Sequence, residues 1–119
     1  MIRVHPTAWV RSTVSLAAIL LIATSARADA PATRIVSVGG AITEIIYALG
    51  EQDRLVARDV TSNFPAQARE LPDVGYIRRL SPEGILSVNP DLIIAQEGAG
   101  PPETIELLNE AQIPMVEIP

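Results

Sequence analysis

The chain has no cysteine and no lysine, a single histidine at position 5, and four aromatic side chains in 119 residues. Without cysteine it can form neither disulfides nor thiolate metal sites, and any exported form must be held by its core alone. Without lysine, and without histidine beyond His5, no nucleophile can be paired with an ordinary side-chain base. A metal site beyond the first residues would therefore have to use carboxylate, tyrosine or methionine. Long apolar runs are also missing: Leu16–Ala23 (LAAILLIA) falls well short of the roughly 20 apolar residues that cross a bilayer.

That short run sits in a recognisable setting. Arg3, His5 and Arg11 supply a positive start, and Ala26-Arg27-Ala28 fits the small-x-small pattern of a cleavage site. The pattern predicts a secretory signal over residues 1–28 and a mature chain from Asp29, the alternative being an uncleaved anchor. No cysteine follows to accept lipid. Removal of the signal leaves six arginines against fourteen acids, a balance near −8 compared with −5 for the whole chain. So acidic a segment is a poor match for nucleic acid, which calls for a basic face. All of its cations are arginines, the side chains suited to bidentate pairing with carboxylate or phosphate.

Residues 29–119 are enough for one small α/β domain, at the marginal end for burying a core. Arg34–Val38 (RIVSV) is a β-branched run closed by Gly39-Gly40. The apolar spacing of Ile42, Ile45, Ile46 and Leu49 then predicts a helix stopped by Gly50. Leu55–Ala57 reads as a second strand, followed by a loop over Thr61–Pro65. Ser81-Pro82 predicts a helix start with Ser81 as N-cap, and that helix ends before Asn89-Pro90. Asp91–Ala95 has the continuous apolar character of a strand buried on both faces of a parallel sheet. Pro102–Gln112 predicts a helix presenting Ile105, Leu107 and Leu108, and Met115–Ile118 a last strand. Because IPMVEIP reads as the beginning of a strand with nothing after it, we expect the sequence to stop partway through a longer protein.

Strand and helix alternate every 25–30 residues, the pattern of right-handed βαβ units in a parallel sheet. Ligands of such sheets sit at the carboxyl ends of the strands, where Gly39-Gly40, Thr61–Phe64 and Gln96–Gly100 fall. Gly39-Gly40 has neither G-x-G-x-x-G spacing nor a phosphate-loop lysine, so it reads as a tight turn. Glu103 and Glu106 lie one turn apart on a solvated helix face, with nothing apolar nearby to separate their pKa values. A small exported enzyme would use Glu44 or Asp59 near the strand ends, a reading disfavoured by the absence of cysteine, lysine and any histidine beyond His5. The segment LPDVGYIRRLSPEG leaves two readings open for Tyr76. Its ring can pack on the domain with the hydroxyl in water, or its phenolate can act as a hard anionic ligand for ferric iron in haem, favoured by Arg78 and Arg79 nearby. Guanidinium can also pair with a propionate.

The opening G-G-x-x-T-E-I-x-Y-A-L-G from Gly39, the segment D-V-G-Y-x-R-x-L from Asp73, and SPEGILSVNPDLIIA together resemble the N-terminal lobe of haemin-binding periplasmic proteins of ABC transporters. These belong to a wider cluster that binds siderophores and cobalamin. The resemblance implies a Rossmann-like parallel-sheet lobe of a two-lobed binding protein, periplasmic and not an enzyme, with haem as the transported ligand. It implies Tyr76 as the ligand of haem iron, Arg78 as an arginine beside the haem, and Glu83 as a surface glutamate that docks on the inner-membrane permease. An outer-membrane haem receptor system would lie upstream. No second axial ligand from a facing lobe is present in the sequence. The alternatives are a siderophore or cobalamin binder, in which Tyr76 only lines the pocket, and a truncated fragment without transport function.

Overall fold

The computed structural model describes residues 30–119, so the secretory segment expected over 1–28 lies outside the described residues. In chain order the elements are β1 (Ile35–Val38), α1 (Gly40–Ala48), β2 (Leu55–Arg58), β3 (Gly75–Tyr76), β4 (Arg79–Leu80), α2 (Pro82–Ser87), β5 (Leu92–Gln96), α3 (Pro102–Glu110) and β6 (Met115–Ile118). Short 3-10 segments occupy Gln52–Arg54 and Ala66–Glu70. Four strands form a wholly parallel sheet in the order β2-β1-β5-β6, while β3 and β4 pair separately as a short antiparallel hairpin. The expected α/β class is therefore present.

β1 lies inside the sheet and all four of its residues are buried, which suits the β-branched run that forms it. From β1 the chain crosses outward to β2, and from β5 it crosses outward in the opposite direction to β6. Right-handed crossovers in opposite directions place their helices on opposite faces. Two apolar clusters follow. One gathers Val36, Val38, Ile93, Ala95, Leu80, Ile85 and Leu108 on the α2 and α3 side. The other gathers Ile35, Ile42, Ile46 and Leu55 under α1. Each fully buried aliphatic side chain of this kind stabilises the fold by about 1.5–3 kcal/mol.

The chain below β1 is fastened by two side chains. Asp91 accepts the Thr33 amide at 2.9 Å, the Arg34 amide at 3.0 Å and the Thr33 hydroxyl at 3.2 Å, joining the starts of β1 and β5. The Thr33 amide foremost, with the Arg34 amide and Thr33 hydroxyl, outweighs slight burial and holds the Asp91 carboxyl below its ordinary range. Arg34 donates to the Val88 carbonyl at 2.6 Å and the Asn89 carbonyl at 3.0 Å, satisfying the open end of α2. The other end of α2 is capped as its sequence predicts, with the Ser81 hydroxyl accepting the Gly84 amide at 3.0 Å and Pro82 in the first turn.

Three expectations about buried faces need correction. In α1 the inward residues are Ile42, Thr43 and Ile46, whereas Ile45 is 57% and Leu49 70% exposed. Thr43 turns inward because its hydroxyl completes a buried polar chain, described below. In α3 the buried pair is Thr104 and Leu108, one turn apart, and Leu107 faces outward. β5 is buried through Ile93 and Ala95 on one face only; on the other, Ile94 is half-buried and borders an apolar groove of about 200 Å³ with Ile42, Ile45, Ile46, Leu49 and Ile118.

Candidate functional site

The carboxyl ends of β1, β2 and β5 meet on one side of the sheet, and a buried carboxylate ties two of them together. Asp59 follows β2 and is fully buried. Its Oδ1 accepts the Gly39 amide at 2.9 Å and the Ser62 hydroxyl at 2.6 Å, and its Oδ2 accepts the Thr61 amide at 3.2 Å and hydroxyl at 2.5 Å. A buried hydroxyl chain runs from Ser37 to Thr43 at 2.6 Å and from Thr43 to Ser62 at 2.7 Å. Each hydroxyl has one proton and the last is given to Asp59, so Ser37 donates to Thr43 and Thr43 to Ser62. The chain has one direction, and it runs toward the carboxylate.

With four donors on its two oxygens, Asp59 has its acceptor sites filled. This is a holding role that leaves Asp59 no free acceptor for acid or base work. Glu44 is exposed on α1 and borders a surface depression of about 840 Å³ with Tyr47, Phe64 and Glu70. Burial, and after it the Glu70 charge, raises the Tyr47 phenol above its ordinary value. Tyr76 lines neither this depression nor the apolar groove. Among the described residues no group of three or more His, Cys, Asp or Glu could hold a metal ion, and no helix is long and apolar enough to cross a membrane.

Tyr76 is placed by the β3–β4 hairpin, whose two-residue strands are too short to show any periodicity in sequence. Gly75 pairs with Leu80 and Tyr76 with Arg79, leaving Ile77 and Arg78 at the tip. Gly75 has φ +98°, and a Cβ there would stand 2.8 Å from the Arg79 carbonyl oxygen, so the close turn requires glycine. The hairpin is hydrogen-bonded to its neighbours on both sides. The Val60 amide donates to the Gly75 carbonyl at 2.8 Å, the Gly100 amide to the Ile77 carbonyl at 2.9 Å, and the Leu80 amide to the Gly100 carbonyl at 2.9 Å.

The loops after β2 and β5 thus hold the hairpin between them, at the carboxyl ends of the strands. Tyr76 is 48% exposed, with Val60 (42%) and Phe64 (66%) exposed on the loop after β2. Arg78 and Arg79 are exposed, and neither makes an ion pair among the described residues. Glu83 is exposed in the first turn of α2, where its carboxylate is 3.4 Å from the Ser81 hydroxyl. Met115 packs against the core and is not part of this face.

Sequence reasoning missed the holding role of Asp59 and that of Asp73, whose Oδ1 accepts the Gly75 amide at 2.7 Å. Signals for both were present: Asp-Val-Thr-Ser at a strand end and Asp-Val-Gly before a turn are runs whose side chains bond nearby amides.

A parallel α/β lobe whose three carboxyl-end loops converge on an open face is the architecture of a ligand-binding lobe. The model of the periplasmic binding protein family matches residues 35–119, and the chain belongs to that family. A solved periplasmic haem-binding protein from Pseudomonas aeruginosa is 39% identical with a TM-score of 0.72, over 73% of this chain and 31% of that one. RhuT, a periplasmic haem-binding protein from Roseiflexus sp. RS-1, is 49% identical with a TM-score of 0.67, over 71% of this chain and 32% of its own. The vitamin B12-binding protein of Vibrio campbellii is 34% identical over 96 residues, 81% of this chain and 35% of that protein. The chain thus spans about a third of the length of these relatives, and its fold corresponds to one lobe of their two-lobed architecture. Members of the family are transport components and not enzymes.

Proposed function

We propose that this chain forms the haem-facing N-terminal lobe of a periplasmic protein that delivers haem to an inner-membrane ABC importer. The observation that carries the proposal is the exposed phenol of Tyr76, held at the carboxyl ends of the sheet on a hairpin whose Arg78 and Arg79 have no ion-pair partner among the described residues. In this reading the phenolate binds ferric iron. Arg78 pairs with a propionate or with the iron-bound phenolate oxygen. Val60 and Phe64 offer exposed apolar surface to the macrocycle, a large flat group that an apolar face can shield from water. Glu83, exposed on α2, is the contact for a permease arginine, and an outer-membrane haem receptor would feed the system. The two haem-binding structures, at 39% and 49% identity, support the choice of ligand.

A second reading is favoured by the B12-binding relative: the lobe takes cobalamin and Tyr76 lines the pocket without reaching a metal. One titration separates the two. Ferric haemin added to the chain should produce a phenolate-to-iron charge-transfer band that is lost in Tyr76→Phe. Identical haemin spectra for the two proteins would remove Tyr76 from iron, and retention of cyanocobalamin in preference to haemin would favour the second reading.

A further inference from the structure

Tyr76 makes no side-chain hydrogen bond among the described residues, so the direction of its phenol depends on the backbone that carries it. That backbone is set by Asp73. One oxygen, Oδ1, accepts the Gly75 amide at 2.7 Å; the other, Oδ2, lies 3.5 Å from Nη1 of Arg58. Arg58 closes β2 and is 9% exposed, and its own backbone brackets Asp73 by donating to the Pro72 carbonyl and accepting from the Val74 amide, each at 3.0 Å. Its guanidinium also donates to the Asp59 carbonyl at 3.2 Å and to the Arg69 carbonyl at 3.4 Å, while Nε is buried without a partner.

A buried guanidinium with one unsatisfied N–H is costly to keep. Here it is fixed against the end of the sheet, and Asp73 transmits that fixed point to the residue before the tyrosine. Gly75 then receives two constraints, the Asp73 carboxylate on its amide and the Val60 amide on its carbonyl. Both peptide groups flanking Gly75 are thereby held while its φ stays at +98°.

We infer that Asp73, braced by Arg58, is a positioning residue that fixes the direction in which Tyr76 is presented to ligand. Its functional meaning rests on the reading of Tyr76 as the iron ligand, but the placement itself can be measured without ligand. Asp73 is 42% exposed at its side chain and replaceable without opening the core.

The test compares amide hydrogen exchange in the ligand-free chain for the parent, Asp73→Ala and Asp73→Asn. The Val60 amide, which donates to Gly75, is the probe, and the Ile93 amide, which donates to the Pro114 carbonyl inside the sheet, is the reference. Loss of a charge-assisted bond should speed Val60 exchange roughly tenfold or more in Asp73→Ala relative to Ile93. Asp73→Asn keeps an acceptor for Gly75 but turns an amide donor toward Arg58, and should fall between. Equal acceleration of Val60 and Ile93 would mean general destabilisation and would overturn the inference, as would no acceleration at all. With haemin added, Asp73→Ala should bind with a weakened phenolate band, and an unchanged band would also count against it. A haemin spectrum indifferent to Tyr76→Phe would refute the iron-ligand reading alone, leaving the exchange result to decide the placement of Tyr76.

Discussion

The Asp59 cluster gives a quantitative expectation for one substitution, Asp59→Asn. The native carboxylate accepts from Gly39, Ser62 and twice from Thr61, with no exposed surface of its own. An amide of the same shape has one acceptor side and one donor side. If the NH2 takes the place of Oδ1, it faces the Gly39 amide, which then loses its partner at the start of α1, and the hydroxyl chain must reverse from Ser62 to Thr43 to Ser37. If it takes the place of Oδ2, it can donate to the Thr61 hydroxyl, and only the Thr61 amide loses its acceptor. Thr61 is exposed, so its amide can turn to water, and the second arrangement is the cheaper one. A buried donor left unsatisfied costs about 1–3 kcal/mol, and the exposed one falls at the lower end. The three remaining bonds lose their charge assistance, so the total should come to roughly 2 kcal/mol, a large part of the 5–15 kcal/mol typical of a domain. Asp59→Ala, which strands Gly39 and Ser62 together, should cost clearly more. Urea unfolding followed by circular dichroism measures both, with the slope checked for constancy. A cost for Asp59→Asn within about 0.5 kcal/mol of zero, the range of neutral surface changes, would refute the bonding scheme.

Two further changes probe the rest of the lobe. Gly75→Ala must move the hairpin, because the added Cβ meets the Arg79 carbonyl at 2.8 Å with φ at +98°; a loss of about 1–3 kcal/mol is expected in urea unfolding, with an altered haemin band if Tyr76 is the iron ligand. Asp91 has its pKa lowered by folding, so the unfolded chain binds its proton first on acidification. Its contribution is complete above the unfolded value near pH 4 and is lost as the pH falls toward the folded one. Asp91→Asn should therefore be less stable than the parent at neutral pH and converge with it in acid, and a constant gap between pH 7 and pH 3 would contradict this.

The sheet was legible because its strands carry their own signals. RIVSV closed by two glycines, DLIIA after Asn-Pro, and Ser-Pro-Glu at the start of α2 all appear where those signals put them. The faces were less legible, since the spacing of Ile42, Ile45, Ile46 and Leu49 describes an apolar stripe without saying how much of it one sheet can cover. α1 turns Thr43 toward Ser37 and Ser62, and that rotation leaves Ile45 and Leu49 outside. No periodicity announces such a choice, because a chain of hydroxyls joins three separate elements. The hairpin was unreadable for a different reason. Its register is set by Gly75, by Asp73 and by bonds to Val60 and Gly100, all of which depend on the sheet already being in place.

The same division bears on what the lobe can recognise. The sheet and its helices are common ground between haem-binding and B12-binding relatives, so they cannot choose the ligand. In the proposed reading the choice falls to the hairpin and loops at the carboxyl ends, where Arg78 and Arg79 stand side by side. Acids outnumber arginines by fourteen to six beyond position 28, and an anion approaching most of this surface is repelled. At the hairpin, two exposed arginines stand within three residues of an exposed phenol, with no acid paired to either among the described residues. Under the proposed reading, a ligand carrying carboxylates on one edge of a flat apolar body meets its cationic partners at this hairpin. In that reading Tyr76, two residues before Arg78, is the group that meets the ferric centre. The acidity of the protein, which argues against nucleic acid, thus also sets the adjacent arginines of the hairpin apart from the acidic balance of the chain.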